Sequence, residues 1–207
     1  MTVTISRLYD TYGEGERAVR DLESAGLSSS DISIVANNAD GWYQADRTHR
    51  VDRDHDGVDD RAEGAAKGAG IGAGLGGAVG ALTGLGLLAI PGVGPVVAAG
   101  WLVATAAGAA AGGATGGIIG ALSQAGVSKE EAHVYVEGVR RGGTLVTARV
   151  QDADRTRYAA ILDRSSVNIT DRGAAFRKAG WNSFDEKAMP ISSEEMRKSR
   201  EQYMTRS

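Results

Sequence analysis

From Gly68 through Ser128 the chain carries no Asp, Glu, Lys, Arg or His, an uncharged run of 61 residues in a protein of 207. Twenty of its 30 glycines lie between Gly64 and Gly126, although ordinary usage is only about 7% Gly. Within the run Gly64, Gly68, Gly72, Gly76, Gly80 and Gly84 recur at four-residue spacing, and Gly100, Ala104, Gly108, Gly112, Gly116 and Gly120 repeat the pattern. Four residues is close to one helical turn, so each series predicts a glycine ridge on a helix. Between them Pro91-Gly-Val-Gly-Pro95 supplies two helix breakers and two flexible residues, which predicts a chain reversal and hence a glycine-zipper helical hairpin over 64–126.

Such helices are weak alone, because each Gly costs about 0.8–1 kcal/mol relative to Ala. Bare ridges instead let backbones approach closely, with dense dispersion and Cα–H···O contacts. The expectation is self-association into a homo-oligomer through Gly64, Gly68, Gly72, Gly76, Gly80, Gly84, Gly100, Gly108, Gly112, Gly116 and Gly120. Ile71, Leu75, Val79, Leu82, Leu85, Leu87 and Leu88 would seal the seam. A second reading inserts the hairpin into a bilayer, since either arm exceeds the roughly 20 residues that span one. Lys67 on one side and Lys129, Arg140 and Arg141 on the other would keep both ends cytoplasmic. Ala104 to Gly117 contains nothing larger than Thr, which makes the gain from insertion small. Trp101 reads as the bulky plug of a small-residue core, with an interfacial anchor as the alternative.

The remaining composition narrows the chemistry. There is no Cys, which excludes disulfides, thiolate nucleophiles and the usual structural zinc sites. Lys and Arg total 23 against 26 Asp and Glu, so no basic excess exists to grip nucleic acid. Gly72-Ala-Gly74-Leu-Gly-Gly77 matches G-x-G-x-x-G, but no apolar strand precedes it, and its glycines belong to the general enrichment. With three histidines and no assembled nucleophile, base and orienter, the chain reads as a non-enzyme without catalytic residues. The first residues lack a basic stretch followed by an apolar one, so no secretory signal is expected and the protein is placed in the cytoplasm, with association at the inner membrane under the bilayer reading.

Flanking the glycine block, Thr2–Tyr9 alternates as a strand, Glu14–Ala25 spaces Ala18, Val19 and Leu22 as a helix, and Ile32–Ala36 reads as a second strand. Beyond it, Ser128-Lys-Glu-Glu131 is a capping box opening a helix through Val139. Thr144–Val150 reads as a strand, Asp152–Asp163 as a short helix and Val167–Thr170 as a last strand. The order βαβ, insertion, αβαβ predicts an α+β sandwich of ferredoxin-like type, four strands with helices on one face. The chain thus divides into 1–37, the first half of the sheet domain; 38–63, an acidic linker; 64–126, the hairpin; 127–171, the second half; and 172–207, a polar, partly disordered tail. One helix, Glu194–Tyr203, is expected in the tail after a Ser193 cap.

The acidic linker holds Asp52-Arg-Asp54-His-Asp56-Gly57-Val58-Asp-Asp60-Arg-Ala-Glu63, which satisfies D-x-D-x-D-G-x5-E. Calcium takes about six to eight hard oxygens, and a loop turning at Gly57 can direct Asp52, Asp54, Asp56, the Val58 carbonyl, Asp60 and Glu63 at one ion. The loop resembles EF-hand-type and other bacterial DxDxDG calcium loops. It departs from a paired EF-hand at Asp59, where an apolar residue is usual, and it has no second loop.

Ala89-Ile-Pro-Gly-Val-Gly-Pro-Val-Val-Ala-Ala-Gly100 together with Gly126-Val-Ser-Lys-Glu-Glu-Ala-His-Val-Tyr-Val-Glu-Gly-Val-Arg-Arg-Gly-Gly-Thr-Leu-Val-Thr-Ala-Arg149 resembles the bacterial heat-induced stress proteins of YflT type, also called general stress proteins. Asp31-Ile-Ser-Ile-Val-Ala36 is similar too. The resemblance covers residues 3–36 and 64–171. It implies a stress-induced bacterial protein, cytoplasmic or membrane-associated, without an assigned catalytic residue. The acidic loop and the tail fall outside it.

Overall fold

Alternating apolar side chains make residues Thr2–Tyr9 a strand, β1, that buries Ile5 and Tyr9 on one face and Leu8 on the other. Helix α1 (Tyr12–Ser24) follows at once because Thr11 closes a capping box: the Glu14 N–H donates to Thr11 Oγ1 (3.2 Å) and the Thr11 N–H to Glu14 Oε2 (3.0 Å). Its apolar stripe of Ala18, Val19 and Leu22 is buried, and a turn at 25–31 leads into β2 (Ile32–Asn37), buried along its whole length. The computed structural model describes residues 1–43, 86–111 and 117–204.

The centre of the chain differs from the helical hairpin expected of it. Gly86–Ile90 is a strand, β3, joined by a tight turn to a second strand, β4 (Gly94–Gly100). Gly92 and Gly94 both have positive φ, and the Val93 N–H donates to Ile90 O (3.0 Å). The physical reason is in the flanks: Leu87, Leu88 and Ile90 on one side and Val96 and Val97 on the other are short apolar runs with β-branched residues, and the Pro-Gly turn suits a β-hairpin as well as a helical one. Helix α2 (Trp101–Ala111) begins only after Gly100 and packs against α3 (Gly117–Gln124).

Helix α4 (Lys129–Arg140) starts where its capping box predicts, with the Glu131 N–H donating to Ser128 Oγ (3.2 Å), and β5 (Thr144–Gln151) and α5 (Arg155–Leu162) follow in the expected order. The last expected strand is reduced to a single bridge between Leu8 and Val167. Asn168 ends it by capping α6 (Ile169–Lys178), its Oδ1 accepting from the N–H groups of Thr170 (3.0 Å) and Asp171 (3.2 Å). The C-terminal region, expected as a mobile tail, is docked on the domain. Phe176, Phe184 and Met196 are buried, the Phe176 and Trp181 rings meet edge to face at 5.7 Å, and α7 spans Ser193–Met204. Phe184 and Met196 stand singly among polar neighbours and give no periodic signal, yet each is buried.

Among the described residues five strands form one antiparallel sheet in the order β1-β5-β2-β4-β3. Two βαβ units interleave in it: β5 lies between β1 and β2, and β2 lies between β4 and β5. Helices cover both faces, not one. Helices α1 and α5 close a core containing Ile5, Tyr9, Ile34, Val146 and Leu162, while α2, α3 and α4 close another containing Leu8, Val35, Val96, Leu122 and Tyr135.

Candidate functional site

Of the residues expected to carry assembly, three lie among the described residues: Gly100, Gly108 and Gly120. Gly64, Gly68, Gly72, Gly76, Gly80, Gly84, Gly112 and Gly116 lie outside the described residues, as do the calcium-loop positions Asp52, Asp54, Asp56, Val58, Asp60 and Glu63. Gly100 ends β4, Gly108 lies in α2 and Gly120 in α3, so these three share no helix and form no common ridge. Gly100 instead allows a close backbone approach, for its φ is +95° and a Cβ there would collide with Ile32 O and Ser33 Cα. Ser33 occupies the same corner, its hydroxyl donating to Ala99 O (2.7 Å) and accepting from the Leu102 N–H (3.2 Å). Around Gly120, by contrast, no atom of the described residues outside its own helix turn lies within 4 Å of a Cβ position. Trp101 is a plug: half-buried against the core, it donates from Nε1 to Asp31 O (3.2 Å) beneath the Arg149 guanidinium, 4.8 Å from the ring.

What the fold does present is an apolar sheet edge. β3 pairs inward with β4 in five successive residue pairs from Gly86↔Ala98 to Ile90↔Gly94, and among the described residues no strand pairs with its outer side. Leu87 and Leu88 are 46% and 39% exposed there, although successive strand residues point to opposite faces. The opposite edge, β1, is held differently, for it carries Arg7 and is bridged by the Val167 N–H donating to Leu8 O (2.8 Å).

A polar cavity of about 410 Å³ opens between β1, α4 and the segment joining α5 to α6. Arg7 donates to Asp163 Oδ1 and, from Nη1, to Ser6 O (2.8 Å), which also accepts from the Tyr135 hydroxyl (2.7 Å). Burial pushes the Tyr135 phenol up to about 12. Burial opposes the Arg7 charge, but the hydrogen bond and charge of Asp163 outweigh it and raise the guanidinium pKa. These groups satisfy one another, so the arrangement ties β1 to the loop before α6. Among the described residues no cluster of three or more His, Asp or Glu side chains converges on a point that could hold a metal.

The segment Tyr135–Thr144 is a packing device. Glu137, 1% exposed, accepts from Arg141 Nε (2.7 Å) and pairs with Arg140 Nη1 (3.5 Å). The Arg141 guanidinium lies 4.6 Å from the Phe176 ring centroid, and Arg140 Nη2 donates to Met189 O (2.9 Å), so the two arginines hold the C-terminal region in place. Gly143 lets the chain turn close to Tyr9 O and Gly138 O, each 3.0 Å from where a Cβ would stand.

Sequence reasoning placed Leu87 and Leu88 on a helix and missed the Arg7–Asp163–Tyr135 group altogether. The strand signal was present in the brevity of the apolar runs around Pro91–Pro95; nothing in the spacing of Arg7 and Asp163 links residues so far apart. No family model, curated protein or solved structure matches the chain.

Proposed function

We propose that the chain is a non-enzymatic, self-associating protein of the bacterial stress response, in which the sheet domain carries an uncharged, glycine-rich segment and an apolar edge into contact with further copies. One observation carries the reading: Leu87 and Leu88 stand exposed on an uncharged edge strand that continues directly from the glycine-rich run. Exposed large apolar side chains side by side on a strand edge are a pairing surface. The stress-response part rests on the resemblance of residues 89–100 and 126–149 to the general stress proteins. The glycine-zipper part, over 64–84, rests on spacing alone. Light scattering coupled to size exclusion tests the reading: a mass above that of the 21.4 kDa chain supports it, and a monomer at all concentrations overturns it.

The ferredoxin-like affinity of the domain is part of the same proposal in a looser form, two interleaved βαβ units. Calcium binding at Asp52–Glu63 is proposed from the motif, and calorimetry on the wild type and Asp54→Ala tests it, with binding heat expected only from the former. Bilayer association is kept as a second reading because of the 61-residue uncharged run, although no helix among the described residues is long and apolar enough to cross a membrane. Flotation with liposomes distinguishes it.

A further inference from the structure

The edges of the sheet are treated unequally. An edge strand offers unpaired N–H and C=O groups to any passing strand, and proteins blunt such edges with charge, proline, bulges or a covering segment. β1 has two of these devices, Arg7 and the Val167 bridge. β3, Gly86-Leu-Leu-Ala-Ile90, has no charge and no proline, and its register with β4 runs without a bulge. Both leucines are exposed although they point to opposite faces, so a strand added at this edge would cover both at once.

We propose that β3 pairs antiparallel with β3 of a second copy across a two-fold axis, making one continuous sheet from two. This rests on the self-association proposed above and names its contact. Charge selects the occupant: a two-fold pairing of an uncharged strand sets no like charges opposite each other, whereas an acidic or basic strand would find no counter-charge along it. Leu88 is the middle residue of β3, so the axis passes beside it. Leu88 then meets its own copy with Cα atoms about 4.5–5.5 Å apart. Leu87 meets Ala89 of the other copy, and each of these two is displaced from its own copy by roughly 8 Å, beyond the usual disulfide span.

The chain has no cysteine, so introduced ones report without background. The full chain is made as Leu88→Cys, Leu87→Cys and Ala89→Cys, treated with a mild oxidant and run without reductant, beside a light-scattering mass for the wild type and Leu88→Lys. The expected result is a covalent dimer from Leu88→Cys, little from Leu87→Cys or Ala89→Cys alone, and a dimer from those two mixed in equal amounts. Leu88→Lys, which sets two ammonium groups face to face, should lower the mass while leaving the melting curve of the monomer cooperative. If the wild type assembles but cross-linking is equal at all three positions or absent, the β3 pairing is overturned while self-association stands. A wild type that stays monomeric removes both. Should Leu88→Lys fail to fold, the cysteine comparison still decides.

Discussion

Gly138 faces Leu8 across the α4–β1 contact: a Cβ at that position would lie 2.5 Å from Leu8 Cδ2 and 3.0 Å from Cδ1. Leu8 is 1% exposed within the core, so a shift of its side chain displaces the neighbours packed on it. Helix propensity alone would make Gly138→Ala stabilising by about 1 kcal/mol. Overpacking at a filled site costs about 1–3 kcal/mol and decides the sign. Urea unfolding of Gly138→Ala should therefore show a net loss of stability; an unchanged or raised midpoint would mean that α4 stands farther from the sheet.

Gly100 and Gly120 should respond in opposite directions. Ala at 100 must adopt a left-handed backbone at about 1–2 kcal/mol and collide with Ile32 O, so Gly100→Ala should be strongly destabilising. Ala at 120 meets none of the described residues within 4 Å beyond its own helix turn and should stabilise α3 by about 0.5–1 kcal/mol in the monomer. If Gly120→Leu also lowers the assembled mass, α3 belongs to a contact between copies; an unchanged mass leaves it outside.

Removing the Glu137 carboxylate strands two guanidinium groups that are 18% and 25% exposed, enough to reach some water. Glu137→Ala should thus cost roughly 1.5–3 kcal/mol, the range for charged hydrogen bonds, and less than a fully buried pair would. Because Arg140 also holds Met189 O, the same variant should speed proteolytic cleavage near residue 189, and equal cleavage rates would break that link.

Alkaline pH should unfold the protein through its tyrosines. Burial raises Tyr135 to about 12 and raises Tyr9 further, whereas an unfolded tyrosine titrates near about 10. Above about pH 10 the unfolded chain releases protons that the folded chain retains, so stability is full below that pH and falls progressively toward pH 12. Tyr135→Phe loses the bond to Ser6 O and about 1 kcal/mol at neutral pH, but its stability should decline less steeply between pH 10 and 12. Parallel curves for the two proteins would refute the assignment.

The sequence was most informative where the signal is local. Ser128 with Glu131 marked the start of α4, and Val3, Ile5, Ala18, Val19 and Leu22 gave the first βαβ from their spacing. It misled where one pattern serves two structures. Glycines four apart fit a helix, but Gly100 is glycine because Ile32 O leaves no space for a side chain, and that carbonyl is a tertiary fact. The docking of Phe184 and Met196 was illegible for a related reason, since each is isolated among polar neighbours. Of the candidate edge, the apolar character of Leu87 and Leu88 was plain, while their exposure depended on strand order, which no local rule supplies.

The interleaving of the sheet has a consequence for biosynthesis. When the ribosome has released the first 43 residues, β1 and β2 flank a gap that only β5 can fill, and β5 is not complete until residue 151 has emerged. Until residue 100 has emerged β2 lacks both of its neighbours, and from there to residue 151 it still lacks β5 while β1 lacks the strand it pairs with, alongside a lengthening uncharged stretch. Partial chains of this kind are prone to stick to one another. Translation speed and early chaperone capture should therefore govern the yield of native protein more than the stability of the finished fold does.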